Sequence, residues 1–263
     1  VLACVCAKVT GLVLGPPGGG KSSLSYMLGR ATRRPAHVLI GSNLDPTDIA
    51  GFPYVSQDGR LHRAFLPAIQ ACIDAPGILV CDEATATPPS VRPPFMRLAL
   101  ERIAGDRPLH PESSVLLLAN PPEQAPGGTE LTAMEVNRTF LLSFLPCYDE
   151  VRGYFAGRPV DPEVPPWDQA AFTMAVAREK LDFALTMSME PTLIQMDPPQ
   201  ASIDSGAPWA SPRSTDLALQ AGAAHIVMGG SLEDDVGYAI LSGGMGEASA
   251  ARYLGIRKLR VDL

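Results

Sequence analysis

Residues 11–24, GLVLGPPGGGKSSL, set two prolines and a run of glycines ahead of one lysine and a pair of serines. Leu12, Val13 and Leu14 have the unbroken apolar character of a buried strand end, and Leu24, Tyr26, Met27 and Leu28 begin a helical repeat. The stretch therefore predicts a strand, a tight loop and a helix. Gly15, Gly18 and Gly20 let the backbone turn its N–H groups toward a common centre, and a helix starting at Gly20 adds the positive end of its dipole to the same concavity. A concavity of that kind suits phosphate. Lys21 supplies a point charge for the outer phosphates, and the Ser22 hydroxyl supplies a ligand for magnesium. Gly15, Pro16, Pro17, Gly18, Gly19, Gly20, Lys21, Ser22 and Ser23 thus follow the pattern G-x-x-x-x-G-K-[ST] of a Walker A loop and are the candidate nucleotide-binding residues.

The rest of the chain has to build a scaffold for that loop. Its 263 residues, 46% of them hydrophobic, suffice for one large core or two smaller ones. No apolar run approaches the roughly eighteen residues a membrane span needs. The opening stretch VLACVCAKV is short, carries no basic leader and runs straight into the phosphate loop, so it reads as a first strand rather than a signal peptide. It lacks an initiator Met, so upstream sequence is expected. Five cysteines without a C-x-x-C pair argue against both a disulfide framework and a zinc site. Cys4 and Cys6, two apart on one strand face, read as core, and a reducing cytoplasm fits the cysteine usage. A formal charge of −7 and a pI near 5.1 argue against a general nucleic-acid grip, which needs a basic surface.

Outward from the loop, His37–Ile40 reads as a second buried strand. Residues 44–65 follow as a loop with a hairpin turning at Asp58-Gly59, and then a short helix over Leu66–Ile73. In GILVCDEATATPP, residues 77–89, the apolar strand Ile78–Cys81 ends on two carboxylates. Side chains at the carboxyl end of a parallel strand open into the same crevice as the phosphate loop. Asp82 is then placed to hold magnesium through water, and Glu83 to polarise the attacking water. An ordinary acidic strand end is the competing reading, but a phosphate loop about sixty residues upstream favours a Walker B strand. After a helix and a turn through Gly105-Asp106, a buried strand over Val115–Leu118 leads to Asn120. Its amide could contact both the terminal phosphate and the nucleophilic water; an Asn that simply starts a turn before two prolines is the alternative. The stretch LTAMEVNRTFLLSF reads as a helix ending at Arg138 and a strand Phe140–Phe144. On the residues alone, Arg138 at the rim of the sheet is a solvated charge.

Alternating strands and helices up to Cys147 predict a parallel, doubly wound α/β core over residues 1–149. The proline-rich AGRPVDPEVPPW, residues 156–167, then reads as a linker. The periodic stretches beyond it predict that residues 150–263 are linker and a small helical domain. Ser211-Pro212 is a helix start with serine as cap, which places Arg213 on the exposed first turn. A cation there opposes the helix dipole and suggests an anionic partner, with a plain surface arginine as the alternative.

Taken in order, these motifs resemble the AAA+ ATPases, and within them the MoxR group of the dynein- and midasin-related branch, over nearly the whole chain. GPPGGGKSS resembles its Walker A, LVCDEAT its Walker B, LLLANPPE its sensor 1, VNRTF its arginine-finger box and WASPRSTDLAL its sensor 2. LDPTDIAG and GGMGEASAARYL are similar to further segments of the group. The resemblance implies a P-loop core followed by a helical lid, with ATP and Mg2+ as cofactors. It makes Asn120 sensor 1, Arg138 a finger reaching a neighbouring subunit's nucleotide, and Arg213 the lid residue that touches the γ-phosphate. It further implies a homo-oligomeric ring of six subunits that remodels or activates a protein client, a von Willebrand A domain protein among the candidates. The chain departs from the group in carrying Ala84-Thr85-Ala86-Thr87 where an asparagine and an arginine usually follow the carboxylates, and in showing no helical stretch ahead of the first strand. A non-hydrolysing nucleotide-gated scaffold and a small-molecule phosphotransferase are the competing functions. A signalling GTPase is disfavoured because no N-K-x-D motif is present.

Overall fold

A computed structural model of the chain describes residues 1–121, 124, 131–157 and 166–261. From the N-terminus, α1 (Leu2–Ala7) precedes β1 (Gly11–Leu14), and α2 (Lys21–Thr32) leads to β2 (Ala36–Ile40). A short α3 (Pro46–Ala50) and the hairpin of β3 (Phe52–Val55) and β4 (Leu61–Ala64) come before α4 (Pro67–Asp74) and β5 (Ile78–Asp82). Next are α5 (Arg92–Glu101), a small hairpin of β6 (Ile103–Ala104) and β7 (Arg107–Pro108), and β8 (Ser114–Ala119). The remainder is α6 (Ala133–Val136), β9 (Phe140–Ser143), α7 (Tyr148–Phe155), α8 (Gln169–Met189), α9 (Gln200–Ser205), α10 (Pro212–Val227), α11 (Asp235–Met245) and α12 (Glu247–Val261).

The main sheet has five strands in the order β2-β5-β8-β1-β9. β2 pairs with β5 in parallel from Ala36↔Ile78 to Ile40↔Asp82, and β5 with β8 from Ile78↔Ser114 to Cys81↔Leu117. Phe140 N donates to Thr10 O at 2.9 Å and Phe144 N to Leu14 O at 2.7 Å, which carries the same direction to the β9 edge. Ile78, Leu79, Val80 and Cys81 are all 0% exposed. Strands covered on both faces need this continuous apolar run, and it is the run that the sequence shows. The architecture is the parallel α/β core with a helical C-terminal region that the motif order predicts. Because β5 and β8 separate β2 from β1, the carboxyl ends of β1, β8 and β5 stand side by side.

The opening stretch corrects the expectation of a first strand. Leu2–Ala7 is helical, and Lys8 closes it in the left-handed conformation (φ 59°), with its backbone N–H turned back to the carbonyls of Cys4 and Val5. Leucine and two alanines favour helix, and Ala3, Cys4, Val5 and Ala7 are its buried residues. Cys4 is buried and Cys6 only half-buried, so the two do not share a face as an extended chain would require. A helix thus does precede β1. Two boundaries are also shorter than expected: α6 ends at Val136, ahead of Arg138, and β9 ends at Ser143. Much of the expected linker, residues 158–165, lies outside the described residues.

The chain divides into two compact units. The α/β unit comprises Leu12–Glu130 and Ser143–Glu163, and the helical unit Val1–Gly11, Leu131–Leu142 and Val164–Leu263. This grouping is not the single cut at 149/150 drawn from composition. α1 and Phe140 fall with the C-terminal helices because Ala3, Cys4, Ala7, Val9 and Phe140 share one apolar cluster with Phe183, Leu219, Ile240 and Tyr253. Within the helical unit, Arg257 on α12 bonds the buried Glu179 of α8 and sits 3.0 Å from Asp182. Among the described residues no helix is long and apolar enough to cross a membrane, and no group of three or more His, Cys, Asp or Glu side chains is placed to hold a metal ion.

Candidate functional site

The loop between β1 and α2 is set by its neighbours. Gly15 N donates to Ala119 O at 3.2 Å, which fastens the loop's first residue to the end of β8. A Cβ on Gly15 would stand 2.3 Å from Phe144 O, so no larger residue fits. Gly18 (φ 75°) and Gly20 (φ 90°) are left-handed, and a Cβ on either would meet nothing within 4 Å. Glycine is required at these two positions for backbone conformation, while the space beside them stays open for a ligand. Gly20 is the N-cap of α2 and offers no side chain to the first-turn amides. Those amides and the positive end of the helix dipole face the open side of the loop.

Lys21 is only 7% exposed. Its Nζ donates to Gly15 O and Pro16 O, both at 2.7 Å, and to Asn120 Oδ1 at 2.8 Å. An ammonium drawn out of water needs such acceptors; burial lowers its pKa while the charge of Asp82 works against that shift. The Ser22 hydroxyl donates to Asp82 Oδ2 at 2.6 Å, and the Glu83 backbone N–H to Asp82 Oδ1 at 2.8 Å. Glu83 itself is left-handed (φ 58°), a rare conformation for this residue type, and its carboxylate accepts a hydrogen bond from the Ser42 hydroxyl. Thr85 Oγ1 donates to Asn120 O at 3.1 Å.

These contacts gather residues far apart in sequence around one cavity of about 380 Å³, lined by Pro17, Gly18, Gly20, Lys21, Ser22 and Ser23 of the loop and by Asp82, Glu83 and Asn120. Of the predicted loop residues, Gly15, Pro16 and Gly19 are not in the lining; Gly15 and Pro16 act from behind, through the carbonyls that hold Lys21. The donor set suits a hard divalent cation. A hydroxyl and a carboxylate in direct contact are all-oxygen ligands, and Mg2+ is commonly held by one or two protein oxygens with water completing its shell. The open loop amides and the ammonium suit an oligophosphate.

Arg138 and Arg213 belong to the helical unit. Arg138 follows Asn137, the C-cap of α6, and its backbone N–H reaches Glu135 O at 3.2 Å. Arg213 is exposed on the first turn of α10, where Ser211 caps Ser214 N at 3.1 Å. The two segments meet: Ser211 Oγ donates to Asn137 Oδ1 at 2.9 Å. The sequence reading did not single out Ser42 or Thr85 as contacts of the site. Only their places next to strand ends, Ser42 just past β2 and Thr85 just past β5, could have marked them.

No protein-family model and no curated protein sequence matches the chain. Among solved structures it is similar to a crystal structure of a "putative ATPase" from Cytophaga hutchinsonii, with 17% sequence identity, a TM-score of 0.61, and coverage of 94% of this chain and 79% of that one. At that identity the likeness shows the fold, an α/β core followed by a helical region.

Proposed function

We propose that the chain is a Mg2+-dependent ATPase of the AAA+ type, similar to the MoxR group, that works as a homo-oligomeric ring and remodels or activates a protein client. The observation that carries the reading is the convergence of Lys21, Ser22, Asp82, Glu83 and Asn120 on one cavity although Lys21 and Asn120 lie 99 residues apart. The fold shared with the Cytophaga protein supports it at the coarser level of an ATPase.

In this reading the loop amides and Lys21 bind the phosphate chain. Ser22 and Asp82 hold the cation, Glu83 accepts a proton from the attacking water, and the Asn120 amide orients that water against the terminal phosphate. MgATP, when bound, supplies the transferable phosphoryl group and the divalent charge that offsets its oxygens. Arg213 is the lid cation of the same chain and Arg138 the cation supplied to a neighbour. An arginine supplied in trans is worth about 10³ or more in rate, which is why a ring, here six subunits, is part of the proposal. A cytoplasmic location and a von Willebrand A domain client belong to the same reading. Glu83 in the cavity lining favours turnover over a scaffold that only binds nucleotide.

Subunit mixing tests the assignment of the two arginines. Arg138→Ala is expected to cut hydrolysis about 10³-fold while leaving the nucleotide affinity of an isolated subunit nearly unchanged. Arg213→Ala is expected to weaken binding even in a monomer. Arg138→Ala subunits keep their own Glu83, and Glu83→Gln subunits keep a finger, so mixing these two inactive proteins should restore phosphate release where they adjoin in the right order. Arg213→Ala mixed with Glu83→Gln should restore none. Identical behaviour of the two arginine variants in mixtures would refute the trans assignment.

A further inference from the structure

We propose that Thr85 is a positioning residue that holds the turn bearing Glu83 in register with Asn120, an inference that rests on the ATPase reading of the cavity. The ladder between β5 and β8 ends at Cys81↔Leu117, so although β2 pairs with β5 as far as Ile40↔Asp82 and Gly15 N holds Ala119 O, no β5–β8 pair joins Glu83 to Asn120. Beyond Asp82 the backbone leaves the strand through the left-handed Glu83 and enters a single 3-10 turn, Ala84–Ala86, closed by Ala86 N to Glu83 O at 2.9 Å. Thr85 lies in that turn, 2% exposed, and its hydroxyl crosses to Asn120 O at 3.1 Å over a separation of 35 residues.

Asn120 is thereby held at both of its carbonyls, the backbone one by Thr85 and the side-chain one by Lys21. The Thr85 hydroxyl thus ties the turn that begins at Glu83 to the backbone of Asn120, whose side-chain carbonyl in turn accepts from Lys21; the Glu83 carboxylate itself is met by Ser42. Thr85 does not itself line the cavity. Losing its hydroxyl should leave the binding surface intact and loosen the spacing between Glu83 and Asn120. Catalysis depends on such spacing: a misplacement of about 1 Å can cost about 10² in rate. The expected signature is therefore a loss in kcat with little change in KM.

Two pairs of variants isolate the hydroxyl. Thr85→Val keeps the branched shape and removes the donor; Thr85→Ser keeps the donor and removes a methyl, and differs from Thr85→Ala by one oxygen. At saturating MgATP, Thr85→Val and Thr85→Ala should lose about ten- to a hundredfold in kcat, with KM and ATP affinity within about twofold of wild type, and Thr85→Ser should recover most of the rate. A second readout needs no nucleotide. The side-chain amide signals of Asn120 in nitrogen-15 NMR spectra of the free protein should shift in Thr85→Ala and return toward wild type in Thr85→Ser. If Thr85→Val does not fold, the Ser and Ala pair decides alone.

Wild-type kcat in folded Thr85→Ala, unmoved Asn120 signals, or a Thr85→Ser protein as impaired as Thr85→Ala would each overturn the proposal. Absence of hydrolysis by the wild type would instead refute the ATPase reading, and the NMR comparison would still decide whether Thr85 holds Asn120.

Discussion

Lys21→Ala is expected to weaken MgATP binding by about a hundredfold or more while leaving the fold standing. Hydrogen bonds from a charged donor contribute about 1.5–3 kcal/mol each, and the loss of two such bonds to phosphate oxygens corresponds to about two to four decades in affinity. The stability cost is much smaller. Nζ meets Gly15 O, Pro16 O and Asn120 Oδ1 beside a cavity that water can enter, so truncation leaves these acceptors hydrated rather than orphaned. A loss of about 1 kcal/mol, or about 2–4 °C in Tm, is the expected scale for a chain of this length. Calorimetric titration with MgATP beside a thermal melt measures both quantities. Unchanged affinity in a folded variant would show that Lys21 does not face the phosphates.

Glu83→Gln should separate binding from chemistry. The substitution removes a proton acceptor and keeps the size of the side chain, and the new amide oxygen can still accept from the Ser42 hydroxyl that meets Glu83 now. In the proposed function the phosphates contact the loop and not Glu83, so ATP affinity should stay within a few-fold of wild type. Turnover should fall by about 10²–10⁴, the usual contribution of a positioned general base. Radiolabelled ATP retention and steady-state phosphate release check the two halves. A variant with normal turnover would mean that another group positions the water. If the protein acts on a client, the same variant should hold ATP and keep that client bound, so a pull-down with it is the way to find the partner.

How far the fold could be read from the chain depended on the range of the forces involved. β5 and β8 were legible because strands buried on both faces need unbroken apolar runs, and Ile78–Cys81 and Val115–Leu118 are such runs. The loop was legible because Gly18 and Gly20 must adopt positive φ, which leaves few other residues. α1 was misread because a short apolar stretch carries no periodicity that separates helix from strand. Its packing with Phe140 and the later helices, which only the folded chain reveals, settles the matter. The same long-range packing placed the division between units where composition could not find it. In the site, the acidic pair after β5 announced itself through its type and position. Ser42 and Thr85 did not: a lone hydroxyl after a strand has no sequence signature, and its role appears only when Glu83 or Asn120 is brought beside it from 41 or 35 residues away.

If a neighbouring subunit completes the cavity as proposed, phosphate release per subunit at saturating MgATP should depend on protein concentration: nearly absent in dilute protein, rising steeply as rings assemble and then levelling off. Turnover per subunit that is independent of dilution, or no phosphate release at any concentration, would contradict the proposal.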